Sequence, residues 1–327
     1  MDQPARTTLA RTGTPLQKLE RLSRETGVSL WAKRDDMTGS VLSGNKVRKL
    51  EYAVADALAA GADTLITCGG TQSNHCRATA IAGAQMGLRV HLVLAGETLD
   101  GPDGNLLLDR LAGATITLVS PDQFGVGLNA IIEEVAGKER AAGRKPYVIP
   151  LGASFEPGLW GYIGCMEELK ADCRAAGIAP DAVAFATGSG GTQAGLILGN
   201  AIHGVGARVV GYSVSSPADD LAARVRAQMR AWKARYRATM DVDAPPIEID
   251  DRYIGPGYGQ AEAPVFETIR RAGRLDGLIL DPTYTGKAMH GMLSELKGGR
   301  LKGPKTLVFL HTGGVFGLFP QRANLGA

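Results

Sequence analysis

Ala186-Thr187-Gly188-Ser189-Gly190-Gly191-Thr192-Gln193-Ala194-Gly195 follows the apolar run Ala182 to Phe185 and leads into Leu196, Ile197 and Leu198. The order is strand, glycine turn, helix, the repeating unit of an α/β fold. Glycines let backbone N–H groups converge, and a helix start adds its positive dipole end. A phosphate monoester is therefore held there without a lysine or arginine. The hydroxyls of Thr187, Ser189 and Thr192 add donors. No Lys follows the glycines, and no G-x-G-x-x-G with a later acidic residue is present, so a small phosphate fits better than a nucleotide. The bland alternative is a tight turn.

A second loop, Ser43-Gly44-Asn45-Lys46-Val47-Arg48-Lys49-Leu50, places a lysine after turn-forming residues and before Leu50, Tyr52, Ala53, Val54, Ala57 and Leu58, which have helical spacing. Lys46 thus sits at a loop-to-helix junction. A helix N-terminus and the nearby Arg48 disfavour its cation, and a lowered pKa frees the amine for Schiff-base chemistry. Alone, a solvated lysine explains it as well. A third unit runs from the strand Thr64 to Cys68 into Gly69-Gly70-Thr71-Gln72-Ser73-Asn74-His75 and a helix through Ala84. Its helix start, with Thr71, Ser73 and Asn74, suits an α-carboxylate; equally, Ser73 is a good cap.

The rest of the chain keeps the alternation. Leu16, Leu19 and Leu22 behind Thr14-Pro15 predict a helix over 15–26, and Val28, Leu30 and Ala32 a strand. Strands follow near 90–94, 115–119 and 147–149, with helices near 105–111 and 128–142. A helix from Pro157 to about Ala175 precedes the glycine turn, and a strand Arg208 to Val214 follows it. Leu221, Val225, Met229, Trp232 and Tyr236 then mark an amphipathic helix whose basic side is a solvated face. Tyr258 in Gly255-Pro-Gly-Tyr-Gly, Tyr284 and Thr285 in Asp281-Pro-Thr-Tyr-Thr-Gly-Lys, and Thr312 after the strand Thr306 to Leu310 lie on loops, where parallel sheets build ligand sites. Arg34-Asp35-Asp36 reads as a salt-bridged turn, and the lone His311 as structural.

S-G-N-K-V-R-K-L-E-Y, G-T-Q-S-N-H, A-T-G-S-G-G-T-Q-A-G, D-P-T-Y-T-G-K-A and H-T-G-G, in that order and across nearly the whole chain, resemble the pyridoxal-phosphate enzymes of the 1-aminocyclopropane-1-carboxylate deaminase and D-cysteine desulfhydrase family. The resemblance implies the tryptophan-synthase-β-like (type II) fold, with two three-layer αβα domains of mostly parallel sheets. Residues 1–46 and 161–327 form the large domain and 47–160 a smaller inserted one, with the active site between them. It also implies a homodimer.

In family terms Lys46 carries pyridoxal 5'-phosphate and is the base for the α-proton, and Gly188, Ser189, Gly190, Gly191 and Thr192 hold the phosphate. Asn74 meets the ring oxygen and Thr312 the ring nitrogen. Ser73, with Thr71, Gln72 and Asn74, binds the substrate carboxylate, while Tyr258, Tyr284 and Thr285 face the rest of a small amino-acid substrate. Lys46, Ser73, Tyr258 and Tyr284 form the catalytic set. Cyclopropane opening is associated with Glu after the tyrosine and Leu in the H-x-G-G loop. Thr285 and Thr312 stand there, which favours β-elimination from D-cysteine to pyruvate, sulfide and ammonia. L-cysteate sulfo-lyase and 1-aminocyclopropane-1-carboxylate deaminase are the alternatives within the family, although no sulfonate site is legible. From another class, a non-catalytic phosphate or nucleotide binder leaves Lys46 and Ser73 without a task.

The chain's 327 residues, 44% hydrophobic and 21% charged, suffice for two layered cores. A net charge of +3 from 36 basic and 33 acidic residues gives no broad basic field for nucleic acid. No run reaches a membrane span, the N-terminus lacks an apolar signal core, and Cys68, Cys76, Cys165 and Cys173 form no C-x-x-C pair. These features lead us to expect a reduced cytoplasm and buried thiols; Asp35 and Asp36 lack the companions a metal site needs.

Overall fold

The computed structural model describes residues 3–9, 11–299, 301 and 303–326, so Met1 and Asp2 of the N-terminal reading lie outside the described residues. Strand β1 (Leu16–Lys18), helix α1 (Glu20–Thr26) and strand β2 (Ser29–Lys33) precede helix α2 (Asn45–Ala59). An alternation follows through β3 (Thr64–Gly70), α3 (Asn74–Gln85), β4 (Arg89–Ala95), α4 (Gly104–Leu111), β5 (Thr115–Val119), α5 (Pro121–Ala141) and β6 (Pro146–Val148). Helix α6 (Glu156–Ala176) leads to β7 (Ala182–Thr187), α7 (Gly191–His203), β8 (Arg208–Ser213), α8 (Ala218–Tyr236), β9 (Glu248–Asp250), α9 (Ala263–Asp276), α10 (Thr285–Leu296) and β10 (Thr306–Leu310).

Among the described residues the strands form two sheets, ordered β1-β2-β10-β7-β8-β9 and β5-β4-β3-β6. Every pairing is parallel except β1 with β2. Period-two alternation makes each sheet the middle of three layers. Ala182, Ala184 and Ala186 of β7 join the core under α1, α9 and α10, whereas Val183 and Phe185 join the core under α6, α7 and α8. In the smaller sheet Leu65 and Leu92 face α2 and α3, while Ile66 and Val93 face α5. This is the α/β, mostly parallel architecture that the resemblance implies.

Several local expectations change. Residues 15–26 are not one helix: Leu16 to Lys18 pair as an antiparallel edge with Ala32 and its neighbours, and the helix begins only at Glu20. Leu19 and Leu22 are fully buried, so their spacing reports a shared core rather than a shared helix. Helix α5 starts seven residues earlier than Leu128, because Ser120 and Gln123 close a capping box with Pro121 inside it. Strand β9 and helices α9 and α10 add to the elements that the sequence patterns mark. Bidentate Arg34–Asp36 bonding and the Asp35–Arg48 pair confirm the salt-bridged turn, and His311 Nε2 bonds the Ile279 carbonyl. All four cysteines are free and buried. No helix among the described residues is long and apolar enough to cross a membrane, and no group of three metal-ligating side chains is found there.

Candidate active site

The lysine turn is built by close backbone packing. Gly44 adopts φ +91°, and a Cβ there would lie 2.8 Å from the Thr312 carbonyl oxygen, so only glycine fits. The Asn45 N–H donates to that carbonyl at 3.0 Å, and the Gly44 N–H to Thr38 Oγ1 at 2.8 Å. Lys46 consequently falls in the first turn of α2 and points into a cleft of about 290 Å³. Burial lowers its pKa to about 8, opposed weakly by Cys76, and its amine takes no hydrogen bond from another described residue. The expectation that Arg48 contributes is wrong. Residues two apart on a helix do not share a face, and Arg48 turns away to Asp35 and Glu168 at 2.8 to 2.9 Å.

Thr187 at the end of β7 opens onto Gly188, Ser189 and Gly190, with Gly190 in the left-handed region at the start of α7 and no side chain capping it. Free N–H groups and the dipole are thus presented to the cleft. Ser154 braces the turn from below: its Oγ accepts the Gly191 N–H at 3.2 Å and bonds Ser189 Oγ at 2.7 Å. Lys49, one turn beyond Lys46, donates to Ser154 Oγ and to the Gly152 carbonyl at 2.8 and 2.5 Å. Its burial, then the charge of Lys46, push its pKa well down. Gln228 of α8 donates to the Ser189 carbonyl at 2.8 Å, and Asn45 Nδ2 to Thr192 Oγ1 at 3.2 Å, tying the glycine turn to the lysine turn.

Across the cleft, Gly69 and Gly70 end β3, and Ser73 caps α3 by accepting the Cys76 N–H at 3.2 Å. The cap reading of Ser73 therefore holds, and the earlier N–H groups of α3 stay available. Tyr258 and Tyr284 meet over the opening with their hydroxyls 2.6 Å apart. Asp281 seats Tyr284 by accepting its N–H at 2.9 Å and that of Thr283 at 3.0 Å. Lys287 holds the Tyr258 loop through the Ile254 and Gly257 carbonyls at 2.6 and 2.7 Å. Burial raises both phenols, to about 12 for Tyr258, which lines the cleft and keeps 44% of its surface exposed.

The cleft thus brings together Lys46, Ser73, Gly188, Ser189, Gly190, Thr192, Tyr258 and Tyr284. Other expected residues stand elsewhere. Thr285 is fully buried, its hydroxyl donating to Asp281 Oδ1 at 2.7 Å, so it caps the turn and does not face substrate. Gln72 is spent on Asp103 and Asn105, and Thr71 packs on Gly96. Gly191 begins α7 behind the cradle, and Asn74 and Thr312 stand just outside the lining, Thr312 beside the lysine turn. Sequence reasoning missed Gly152, Ser154, Lys49, His75, Phe124, Ser215 and Arg224. Of these, Lys49 lies within the lysine-turn stretch, and a motif also flags His75, two residues after Ser73. It is buried and bonds Thr67 Oγ1 at 2.8 Å, and burial together with Lys46 and Lys49 holds its pKa well down.

A phosphorylated aldehyde needs an uncharged amine and an anion cradle on one cavity, and both are here. A Cβ on Gly152 would lie 2.5 Å from Ser189 Oγ and 3.3 Å from Lys46 Nζ, so amine and cradle abut one bare stretch of backbone that any side chain would fill. Among the described residues no carboxylate lines the cleft.

Residues 7–313 match the family model described as pyridoxal-phosphate dependent enzyme. A putative 1-aminocyclopropane-1-carboxylate deaminase of Pyrococcus abyssi is 41% identical over 96% of this chain and 93% of its own length. The bifunctional D-cysteine desulfhydrase/1-aminocyclopropane-1-carboxylate deaminase of Arabidopsis thaliana, mitochondrial, is 37% identical over 96% of this chain and 79% of its own. The crystal structure of an ACC deaminase homologue superposes with a TM-score of 0.90 at 36% identity, covering 98% of this chain and 95% of that one. The chain belongs to the pyridoxal-phosphate dependent enzymes, in the branch of the 1-aminocyclopropane-1-carboxylate deaminase and D-cysteine desulfhydrase lyases.

Proposed function

We propose that the protein catalyses β-elimination from a small amino acid of the cysteine class, D-cysteine first, releasing sulfide, pyruvate and ammonia. The observation that carries this reading is a cleft that a neutral-prone Lys46 amine shares with a phenol pair, with no carboxylate among the described residues of its walls. When bound, pyridoxal phosphate supplies the electron sink for the substrate carbanion. The chain does the rest. Gly188 to Thr192 and the start of α7 would hold the phosphate, with Asn74 as donor to the ring oxygen and Thr312 as partner of the ring nitrogen. A hydroxyl there leaves that nitrogen largely neutral, a weaker sink that suffices for a thiolate leaving group. Ser73 and the start of α3 fix the substrate carboxylate. The Lys46 amine takes the α-proton, favoured by its low pKa, and Tyr258 or Tyr284 passes a proton to the departing group.

A second reading, opening of a cyclopropane amino acid, is favoured by the names that the relatives carry. There the leaving atom is carbon and needs the tyrosine proton more than sulfur does. Purified protein given D-cysteine, L-cysteine, L-cysteate, D-serine and 1-aminocyclopropane-1-carboxylate, scored for sulfide, sulfite and keto acid, separates the readings. Sulfide with pyruvate from D-cysteine as the fastest reaction is the expected outcome. Faster keto-acid release from the cyclopropane substrate would replace it with the deaminase reading, and sulfite from L-cysteate with the sulfo-lyase one.

A further inference from the structure

We propose that Asn105, which has no place on the cleft wall, is a positioning residue that sets which end of the Asn74 amide the cofactor meets. The inference rests on the assignment of Asn74 to the ring oxygen. Arg77 of α3 is buried, with its guanidinium over the Phe316 ring at 4.9 Å. It donates to the Val41 carbonyl, to the Ser43 carbonyl at 3.0 Å, and through Nε to Asn105 Oδ1 at 2.8 Å. Asp109 nearby does not compete for these donors: burial, opposed by Arg77, raises its pKa to about 8, and its oxygens take no hydrogen bond among the described residues.

The donor and acceptor roles then follow without choice. A guanidinium only donates, so the oxygen of Asn105 must face Arg77. Its Nδ2 therefore points the other way and donates to the Gln72 carbonyl at 3.0 Å and to Asn74 Oδ1 at 3.1 Å. With its oxygen taken, Asn74 is left with its NH2 end unspent. Asn74 lies between Ser73 and His75, both of which line the cleft. One buried arginine thus anchors the segment leading to Lys46 and, through Asn105, presents a donor rather than an acceptor to an anionic ring oxygen.

The test is a cycle on the full-length chain, reading the dissociation constant for pyridoxal phosphate and the pH dependence of its bound absorbance. Asn105→Asp keeps the acceptor for Arg77 but turns a second oxygen toward Asn74, so the Asn74 amide should reverse. We expect affinity to fall about tenfold, the value of one hydrogen bond to a charged group. Asn105→Ala frees the amide without adding charge and should lose only about twofold, since two orientations become available. In an Asn74→Ala background Asn105→Asp should have almost no further effect on either readout, because the two act through one contact. Equal losses from Asn105→Asp in both backgrounds, or an unchanged affinity and absorbance in the native one, would overturn the inference while leaving the enzyme reading intact. A native chain that binds no pyridoxal phosphate would overturn both.

Discussion

The titration of Lys46 is the most exposed point of the proposed mechanism. Burial with no hydrogen-bonded or ion-paired partner takes its pKa to about 8, against an ordinary value of 10.5. At pH 7 this raises the neutral fraction by about 300-fold, since each pKa unit is a factor of ten. Trace acetylation of the cofactor-free chain over neutral to alkaline pH, with peptide mass spectrometry, measures it. Only the neutral amine reacts, so labelling of Lys46 should climb with a midpoint near 8 while surface lysines climb more than two units higher. The midpoint, unlike the rate, is insensitive to how easily the reagent enters the cleft. Inorganic phosphate at the Gly188 turn adds a nearby negative charge and should move the midpoint up. If Lys46 titrates in step with the surface lysines, the amine is charged at neutral pH and the base assigned to the α-proton is the wrong group.

Three further outcomes follow from the geometry. Gly191→Ala puts a Cβ 2.5 Å from Ser154 Oγ and 2.6 Å from Lys49 Nζ, so it should weaken pyridoxal-phosphate retention on dialysis and destabilise by about 1–3 kcal/mol in urea unfolding. Arg48→Leu strands Asp35 in the core and should lose about 3–5 kcal/mol at neutral pH. Burial is the largest single influence and would raise the Asp35 carboxyl, but the Arg48 charge and hydrogen bond together with the Tyr162 and Thr14 hydroxyls outweigh it, and the net pKa is lowered. That stabilisation exists above the ordinary carboxylate value and is lost on acidification, so the gap between native and variant in urea midpoints should narrow as pH falls. Tyr258→Phe and Tyr284→Phe each remove half of the hydroxyl pair, and at least one should cut kcat by about 100-fold with KM little changed, as steady-state kinetics will show.

What was legible in the chain was what short-range geometry dictates. The lysine turn and the glycine turn announce themselves through residues that backbone sterics demand, Gly44 at φ +91° and Gly190 at φ +88°. Strand β7 was equally plain, being apolar on both faces. Helix α10 was not, because Gly286 and Gly291 dilute a helical pattern whose buried face is Met289, Met292 and Leu293. Gly286 is required by the Asp281 carbonyl five residues back and by Ile269, and Gly291 by the ring of Tyr212, which is distant in the chain. Ser154 and Gly152 carry no motif either. Their role appears only when residues 35 to 40 positions apart meet beneath one turn, and the same holds for the link from Arg77 through Asn105 to Asn74. Thr285 misled in the opposite sense, since adjacency to Tyr284 in sequence placed it on the far side of the turn in space.

The position of β10 has a consequence for biosynthesis. It pairs with β2 on one side and β7 on the other, so the middle of the larger sheet is filled by the last strand to be made among the described residues. At about 5–20 residues per second, the ribosome needs roughly 14–55 s to travel from Lys33 to Thr306. Through that interval the nascent β2, joined by β7 once Thr187 has been made, carries an open edge that is ready to pair with neighbouring chains. Expression at reduced temperature or with added chaperones should therefore raise the soluble yield of this enzyme, whereas truncation before β10 should abolish it.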